Sequence, residues 1–346
     1  MENPNIEISL NESPCSTICE PYLLGSFALN EKREWFEDAK PFLKVYDSSY
    51  WKEYPLRETP IDLRQYQSLW KGDDYFEEGN VPLLRWIHSH PQVLPADFVL
   101  SRGILAKMMR TPYEKYEPWY FSVVKHRNTF YFKQNETDYE RRKETTIRNF
   151  YSKYFHWGNQ FDYHLTKRIT PDINNVLNVC QEYCGVYRRK VNDLCLLYNA
   201  EIDGVMMNHE NNDPHRPEDF VEFKLTLAIQ NERHFEKVAQ RKFIRWWAQS
   251  FLVGIPRIVC GFRDYDGLVH EIKEYLTEEI PSSRGVTWKS SVCCNFLKDI
   301  LSSLKNRSDL SSDVVYCISW TPPGMTINIK ETEDSLESIL PLWYTN

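Results

Sequence analysis

Two short motifs hold the residues of this chain that are best suited to chemistry: Glu201-Ile202-Asp203 and Glu222-Phe223-Lys224. In a β-strand, residues two apart point to the same face, so paired strands would gather three carboxylates and one ammonium group. Two carboxylates about 4 Å apart repel each other by roughly 4 kcal/mol at an effective dielectric constant near 20. A hard divalent cation relieves that repulsion, and Mg²⁺ prefers oxygen ligands and often contacts substrate phosphates. The pattern predicts metal-assisted cleavage of a phosphoester or phosphoanhydride.

Each residue of the two motifs has a predicted role. Glu201, Asp203 and Glu222 are candidate metal ligands, and Phe223 is a candidate donor of a backbone carbonyl. Lys224 would orient or activate water, or offset charge that develops on the scissile phosphate. For either motif alone, an exposed strand edge is the favoured interpretation. Together, their order and separation resemble the metal-dependent nuclease core called PD-(D/E)xK, in which an acidic strand precedes an ExK strand.

Three further positions are candidates. Asp162 follows Gly158 by one helical turn, so both would face the same side, and the glycine would permit close approach to a sheet or substrate. From these two residues alone, the favoured interpretation is a glycine that relieves packing and a surface acid. Arg102 offers a guanidinium group suited to phosphate, although a buried salt bridge is an equal alternative. Gln249, after Trp246 and Trp247, could hydrogen-bond a ligand or a metal-bound water, while the tryptophans are typical of a core or a cavity wall.

The hydrophobic pattern predicts the elements that position these residues. Helices are expected at 97–110, 138–167, 232–252 and 291–303, the last before a hairpin. Strands are expected at 119–133 (two, turning at 126–128), 194–207, 219–228, 257–262, 268–275, 314–320 and 325–330. Residues 38–70 are expected to form extended or irregular cover. The loop 208–217 is polar and carries no helix, which favours antiparallel pairing of the strands on either side of it.

The irregular alternation of helices and strands predicts one α+β domain. We expect mixed, largely antiparallel β-sheets flanked by helices, with residues 1–20 as a flexible tail and 21–346 as the single catalytic domain. No apolar run approaches the roughly 20 residues of a membrane span, and the polar N-terminus does not resemble a signal peptide. An intracellular protein without membrane partners is expected, in the cytoplasm, the nucleus or both.

Charge and cysteine content narrow the function further. The formal net charge of −7 argues against sequence-independent coating of nucleic acid, although it permits a local basic groove. Four basic clusters are candidates for such a groove: Arg102/Lys107/Arg110, Arg141/Arg142/Lys143, Arg188/Arg189/Lys190 and Lys237/Arg241/Arg245. For each cluster alone, a solvated surface is the favoured interpretation. The nine cysteines have no zinc-finger spacing and are expected to be ordinary thiols.

Several blocks of the chain together resemble the decapping exoribonuclease (DXO) family. Besides the two motifs, they are Ser101-Arg102-Gly103, Thr111-Pro112-Tyr113-Glu114, the runs from Arg245 to Leu252 and from Gly254 to Val259, Gly261-Phe262-Arg263 and Leu340-Pro341-Leu342-Trp343-Tyr344. The resemblance implies a nuclease-like active site that binds Mg²⁺ or Mn²⁺ and acts on RNA 5′ ends. Its substrates would carry triphosphate, unmethylated-cap or NAD-type ends, and 5′-to-3′ exonuclease action could follow.

The resemblance also implies roles for individual residues. Glu201, Asp203 and Glu222 match the metal-binding acids, and Lys224 matches the active-site lysine. The other matches are Phe223 to a residue whose carbonyl touches metal, Arg102 to a phosphate-contacting arginine and Gln249 to an active-site glutamine.

One position departs from the family pattern. A glycine-led helical motif that ends in Glu in the family ends here in Asp162, which is one methylene shorter. The alternative to an RNA 5′-end hydrolase is therefore a family-shaped RNA-binding or regulatory protein with little catalysis. A DNA nuclease built on the same core is a weaker alternative.

Overall fold

The computed structural model describes residues 5–15, 18–37, 39–53, 56, 58–64, 68–69, 78–168, 177–178, 180–206 and 216–346. The strands in these ranges are β1 (Ile6–Glu7), β2 (Tyr22–Leu29), β3 (Trp35–Phe36), β4 (Lys44–Tyr46), β5 (Ile61–Asp62), β6 (Ser68–Leu69), β7 (Phe98–Ser101), β8 (Trp119–His126), β9 (Thr129–Asn135), β10 (Thr166–Arg168), β11 (Leu177–Asn178), β12 (Glu182–Val191), β13 (Leu194–Glu201), β14 (Gly204–Met206), β15 (Phe220–Leu227), β16 (Arg257–Arg263), β17 (Leu268–Leu276), β18 (Val315–Trp320) and β19 (Thr326–Glu331).

The helices in the same ranges are α1 (Ser49–Glu53), α2 (Val81–Ser89), α3 (Arg102–Arg110), α4 (Asp138–Leu165), α5 (Glu232–Arg241), α6 (Phe243–Val253), α7 (Ser290–Lys305) and α8 (Leu342–Thr345). Within the described part of the chain, none of them combines the length and the apolar character that crossing a bilayer requires.

Two large sheets form the framework. One has ten strands in the order β1-β19-β18-β8-β9-β7-β13-β12-β2-β3, and the other has seven in the order β10-β4-β14-β15-β16-β17-β5. Most neighbours are antiparallel, and the parallel pairs in the large sheets are β13 with β7, β7 with β9, β14 with β4 and β15 with β16. The prediction of mixed, largely antiparallel sheets flanked by helices is confirmed.

Several predicted elements are confirmed with small changes of boundary. The hairpin β8–β9 turns at Arg127 and Asn128, whose positive φ angles of 46° and 65° suit a tight two-residue turn. Helix α4 ends at Leu165, close to the predicted end at residue 167. Strands β15 to β19 and helix α7 also match their predicted segments. Residues 170–172 and most of the loop 208–217 lie outside the described residues.

Three predicted elements are wrong in part. The segment 97–110 begins as a strand, because its fully buried residues Phe98, Val99 and Leu100 form β7 between β13 and β9. The segment 194–207 is two strands, β13 and β14, in different sheets. The segment 232–252 is two helices, α5 and α6, that meet at Lys242.

Two segments expected to be loose or irregular contribute to the sheets. In the predicted tail, Ile6 is buried and pairs with Ile327, and the amide of Asn295 binds carbonyls of residues 11 and 13. In the segment 38–70, β4 and β5 belong to the seven-stranded sheet. The division of the chain into a tail, 1–20, and one domain, 21–346, stays a prediction.

Helix α4 is seated against the seven-stranded sheet by its aromatic residues. Trp157, Phe161 and Leu165 are buried in one cluster with residues of β15, β16 and β17. Gly261 of β16 makes room for the ring of Phe161, since a Cβ at this position would lie 2.5 Å from Cε2 of that ring. This packing fixes the helix turn that carries Asp162.

Replacing Gly261 by alanine is expected to destabilise the protein by about 1–3 kcal/mol, because overpacking displaces the ring and its helix. Urea unfolding measures the loss. The matched control is Gly158→Ala in the same helix, where an added Cβ meets nothing within 4 Å. Alanine is a better helix former than glycine by roughly 1 kcal/mol, so Gly158→Ala should not destabilise the protein. Equal destabilisation by both variants would contradict the packing of Phe161 against Gly261.

Candidate active site

The chain passes from one sheet to the other at the first acidic motif. Glu201 is the last residue of β13 in the ten-stranded sheet, and Asp203 immediately precedes β14 in the seven-stranded sheet. Between them, Ile202 is buried and its amide donates a hydrogen bond to the carbonyl of Tyr183 at 2.9 Å. The prediction that both acids alternate along one strand is therefore wrong. The crossing between two sheets brings them to the site instead.

The two motifs lie side by side, as predicted. Strand β14 is antiparallel to β15, with Gly204 opposite Val221 and Val205 opposite Phe220. This register carries Asp203 to the start of the second motif, where its Oδ2 accepts a hydrogen bond from the amide of Phe223 at 2.8 Å. The side chain of Phe223 is buried in the aromatic cluster under α4.

Glu222 is held between two cations. Its side chain is 1% exposed, Nη1 of Arg102 lies 3.0 Å from its Oε2, and Nζ of Lys224 donates to its Oε1. Burial raises the pKa of Glu222, but Lys224 and Arg102 outweigh burial and hold that pKa below its usual range. Burial likewise lowers the pKa of Lys224, and Glu222 and Asp203 together raise it above the ordinary value. The lysine therefore keeps its proton and acts as a cation.

Arg102 reaches Glu222 because the preceding residues form a strand. With β7 ending at Ser101, the arginine becomes the first residue of α3 and points from the helix start into the site. Arg102, Glu201 and Gln249 line one cavity of about 330 Å³, called here the site cavity. The three residues, predicted from separate stretches of chain, are thus brought together.

Asp162 belongs to the same group of charges. Burial and the neighbouring Asp203 raise the pKa of Asp162 to about 7, while Lys44 and Lys224 oppose the rise. Gly158, one turn earlier, faces open space. The shorter side chain therefore still lies within electrostatic reach of the motifs.

The remaining two acids, Glu201 and Asp203, also have raised pKa values. Burial and Glu182 raise the pKa of Glu201 to about 7. Burial and Glu222 raise the pKa of Asp203 to about 7. Lys44 of β4 opposes the rise at Glu201 as it does at Asp162. Lys44 is not predictable from the sequence, because its strand has only three residues and lies in a segment without clear periodicity.

The donor set suits a hard divalent cation in its chemistry, since it consists of carboxylates whose charges lack full compensation. Its arrangement is not yet a closed shell. Among the residues that the structure describes, no three acidic, histidine or cysteine side chains are grouped tightly enough to surround an ion. Glu222 already forms ion pairs with Arg102 and Lys224, and Asp203 already accepts a hydrogen bond from a backbone amide. An ion would therefore bind with some rotation of these side chains.

The metal-free protein is expected to lose stability as the pH rises from about 4 to 7 at this site. Unfolded, Asp162 and Asp203 would titrate near 3.8 and Glu201 near 4.5, whereas each has a pKa of about 7 in the fold. Between these values the native state binds more protons, so the free energy of unfolding falls with rising pH.

Thermal unfolding in a chelator at pH 5.5 and 8 measures this pH dependence. The variant Asp162→Asn has one fewer raised carboxyl, so its loss of melting temperature across the window should be smaller. A wild-type loss that the variant reproduces in full would contradict the electrostatics described.

With this geometry in hand, comparisons with known proteins decide the family. The family model described as RAI1 like PD-(D/E)XK nuclease matches residues 19–345. The chain belongs to this family. The matched span contains both acidic motifs, the helix with Asp162 and the two residues of the site cavity named above, Arg102 and Gln249.

Relatives of this RAI1-like nuclease match most of the chain. The decapping and exoribonuclease protein of Bos taurus is 29% identical over 355 residues, covering 97% of this chain and 87% of the relative. The decapping nuclease RAI1 of Neurospora crassa is 27% identical over 307 residues, covering 82% of this chain and 73% of the relative.

Solved structures confirm the fold. Candida albicans Rai1 in complex with pU5-Mn²⁺ superimposes with a TM-score of 0.80 at 20% identity, covering 99% of this chain and 98% of that one. K. lactis Dxo1 in complex with manganese gives a TM-score of 0.65 at 14% identity, covering 96% of each chain.

Proposed function

We propose that this protein is a divalent-metal-dependent hydrolase of RNA 5′ ends that acts in the cytoplasm, the nucleus or both. It would remove incomplete guanosine caps, NAD-type caps or diphosphate, and could continue as a 5′-to-3′ exoribonuclease. One observation carries the proposal: the β14–β15 pairing sets Asp203 beside Glu222 and Lys224 at the crossing between the sheets. Family membership and relatives named for decapping support the choice of RNA 5′ ends.

The acids would hold the metal. Glu201, Asp203, Glu222 and Asp162 supply carboxylate oxygens, and the carbonyl of Phe223 is the expected backbone ligand. Bound Mg²⁺ or Mn²⁺ supplies a more acidic water and stabilises negative charge on the phosphoryl oxygens. The raised pKa values of three of these acids fit this role, since a divalent cation would offset the charge that the fold leaves unbalanced.

The remaining residues bind and orient the substrate. Lys224, which keeps its proton, would donate to an oxygen of the reacting phosphate and offset the charge that develops there. Arg102 presents its guanidinium to the site cavity and would hold the adjacent phosphate. Gln249 would donate its amide to the backbone of the first nucleotide. In the reaction a water oxygen bonds to phosphorus and gives up a proton to solvent. The bond from phosphorus to the leaving oxygen breaks, and its electron pair stays on that oxygen.

The experiment is incubation with RNAs that bear monophosphate, triphosphate, guanosine-cap or NAD ends, with Mg²⁺ or Mn²⁺, followed by identification of the released product. Release of a nucleotide or diphosphate from at least one 5′ end, and none in a chelator, is expected. A 5′-labelled DNA of the same sequence tests the weaker alternative, a DNA nuclease. Cleavage of DNA with no turnover of any RNA end would reject the proposal.

A second candidate, an RNA-binding protein with little catalysis, is favoured by two observations. Asp162 is shorter than the Glu implied by the family pattern, and no closed metal shell is present among the described residues. Against it, Asp162 still interacts with Asp203, Lys224 and Glu222.

Replacing Asp162 by glutamate separates these candidates. If the short side chain limits turnover, Asp162→Glu is expected to raise kcat by about tenfold, the scale on which a metal site's supporting groups act. Single-turnover hydrolysis of the preferred 5′ end measures the change, and Asp162→Asn is the matched control that should lower it. An inactive wild type that Asp162→Glu leaves inactive would favour the binding protein.

A further inference from the structure

Six cationic side chains surround a second cavity, called here the basic groove, which has a volume of about 600 Å³. They are Arg110, Lys115, Arg233, Lys237, Arg241 and Arg245. Only two acids, Glu114 and Glu236, line the same groove among the described residues. The groove is therefore positive although the whole chain has a formal charge of −7. One of the four basic clusters noted in the sequence, Lys237/Arg241/Arg245, lies here rather than on an open surface.

Ion pairs fix the inner arginines and leave the outer cations available. Glu114 is largely buried and pairs with Arg110 and, at 2.9 Å, with Arg245. The outer residues Lys115, Arg233 and Lys237 are exposed, and none of them pairs with a carboxylate within the described part of the chain. Their charge is available to an anionic ligand.

Two helical segments carry residues of both the basic groove and the site cavity. From Arg233 to Gln249, every fourth residue of α5 and α6 lines one cavity or the other: Arg233, Lys237, Arg241 and Arg245 line the groove, and Gln249 lines the site cavity. Residues four apart are neighbours on a helix surface, so these five side chains form one row that winds slowly around the two segments. The backbone continues across the junction, where the amide of Trp246 binds the carbonyl of Lys242 at 2.9 Å.

Helix α3 connects the same two cavities. Its first residue, Arg102, lines the site cavity, and its last, Arg110, lines the basic groove. Eight residues of helix rise about 12 Å. A stacked nucleic-acid strand advances roughly 3.4 Å per phosphate. The separation therefore corresponds to about three or four nucleotides.

An exposed aromatic ring stands beside these cations. Tyr116 is 50% exposed, the guanidinium carbon of Arg241 lies 4.1 Å from its ring centre, and that arginine also donates to its hydroxyl. Cations that follow a backbone, with an aromatic face for bases, are the usual components of a site for single-stranded nucleic acid. A free phosphate or an acidic peptide would use neither the ring nor the connection to the site cavity.

We propose that the basic groove binds the sugar–phosphate backbone of the RNA strand that continues beyond the 5′ end held in the site cavity. The proposal rests on the proposed function for its choice of RNA. It assigns Arg233 and Lys237 to the outer part of the path and Arg241 with Tyr116 to a stacking position. Substrates too short to leave the site cavity do not benefit from the groove, whereas longer strands do.

The test compares the charge-reversed variant Arg233→Glu/Lys237→Glu with the control Lys190→Glu/Lys330→Glu, which changes two exposed lysines outside the groove. Binding of 5′-monophosphate RNAs of about three and about 20 nucleotides is measured in a chelator by fluorescence anisotropy at several salt concentrations. The groove variant should lose about tenfold or more in affinity for the long RNA, with a salt dependence shallower by about 1–2 units of slope. Affinity for the short RNA and turnover of it with metal should stay unchanged.

The proposal would be overturned if the groove variant bound the long RNA as tightly as the wild type does. Direct binding of ATP that the groove variant loses and the control keeps would also overturn it, because it would identify a pocket for a free nucleotide. The binding measurements need no turnover. An inactive wild type would remove the proposed function, and the affinity for long RNA would still decide whether the groove binds a strand.

Discussion

Replacing Asp203 by asparagine is expected to abolish hydrolysis of RNA 5′ ends while the protein stays folded. Even groups that only support metal ligands contribute 10–100-fold, so loss of a direct ligand should lower kcat by about 10³-fold or more. Asp203 has a pKa raised to about 7 by burial and by Glu222, so its charge opposes folding at neutral pH. The variant should therefore melt at the same temperature as the metal-free wild type or higher.

The matched control for Asp203→Asn is Asp97→Asn. The Oδ2 of Asp97 also accepts a hydrogen bond from a backbone amide, that of Cys195 at 2.7 Å, and it lies just before a strand. This control should lose stability, because Asp97 also pairs with Lys305 at 2.7 Å, and keep its turnover per folded molecule. If Asp203→Asn keeps wild-type turnover, or loses activity only by unfolding, Asp203 is not a metal ligand.

Replacing Lys224 by methionine is expected to lower kcat by about 10²–10³-fold, the range seen when a donor to developing charge is removed. KM for the RNA should change little, because Arg102, Gln249 and the bound strand remain. The variant should also be less stable, because removing one partner of a buried ion pair costs about 3–5 kcal/mol. Arg102 remains as a second partner of Glu222 and should reduce that cost. Steady-state kinetics with urea unfolding separates the two effects.

Lys107→Met is the control for that loss of stability. Lys107 is 17% exposed and pairs with Glu140 at 2.7 Å, so it resembles Lys224 in burial and pairing but has no ion pair with Glu222. It should lower stability without lowering kcat. Equal losses of kcat in the two variants would show that Lys224 acts through the fold alone.

The pairing of the two acidic motifs was predictable, because the residues between them along the chain indicate how their strands pair. A polar loop without a helix predicted antiparallel pairing of the flanking strands, and that pairing sets Asp203 beside Glu222. The predicted geometry of Glu201 failed for a physical reason. An unbroken β pattern from residue 194 to 207 does not reveal that the chain leaves one sheet at Ile202 and enters another.

Other parts of the site depend on packing that local patterns do not carry. The helix predicted at 97–110 rested on the spacing of Phe98, Leu105, Met108 and Met109. Only the parallel neighbours β9 and β13 make the start of this segment a strand. The position of Arg102 at a helix start follows from that choice. Lys44 lies on a three-residue strand whose pairing with β14 has no signal in its own segment.

The central claim is that carboxylates from β15, α4 and the crossing between the sheets bind one shared divalent site. Anomalous diffraction from crystals soaked with Mn²⁺ tests it most directly. We expect an anomalous peak in contact with Asp203 and Glu222 and within reach of Asp162, and we expect Asp203→Asn crystals to lose it. Manganese bound only elsewhere would contradict the shared site. So would crystals in which a 5′-monophosphate RNA occupies the site cavity and no manganese is bound.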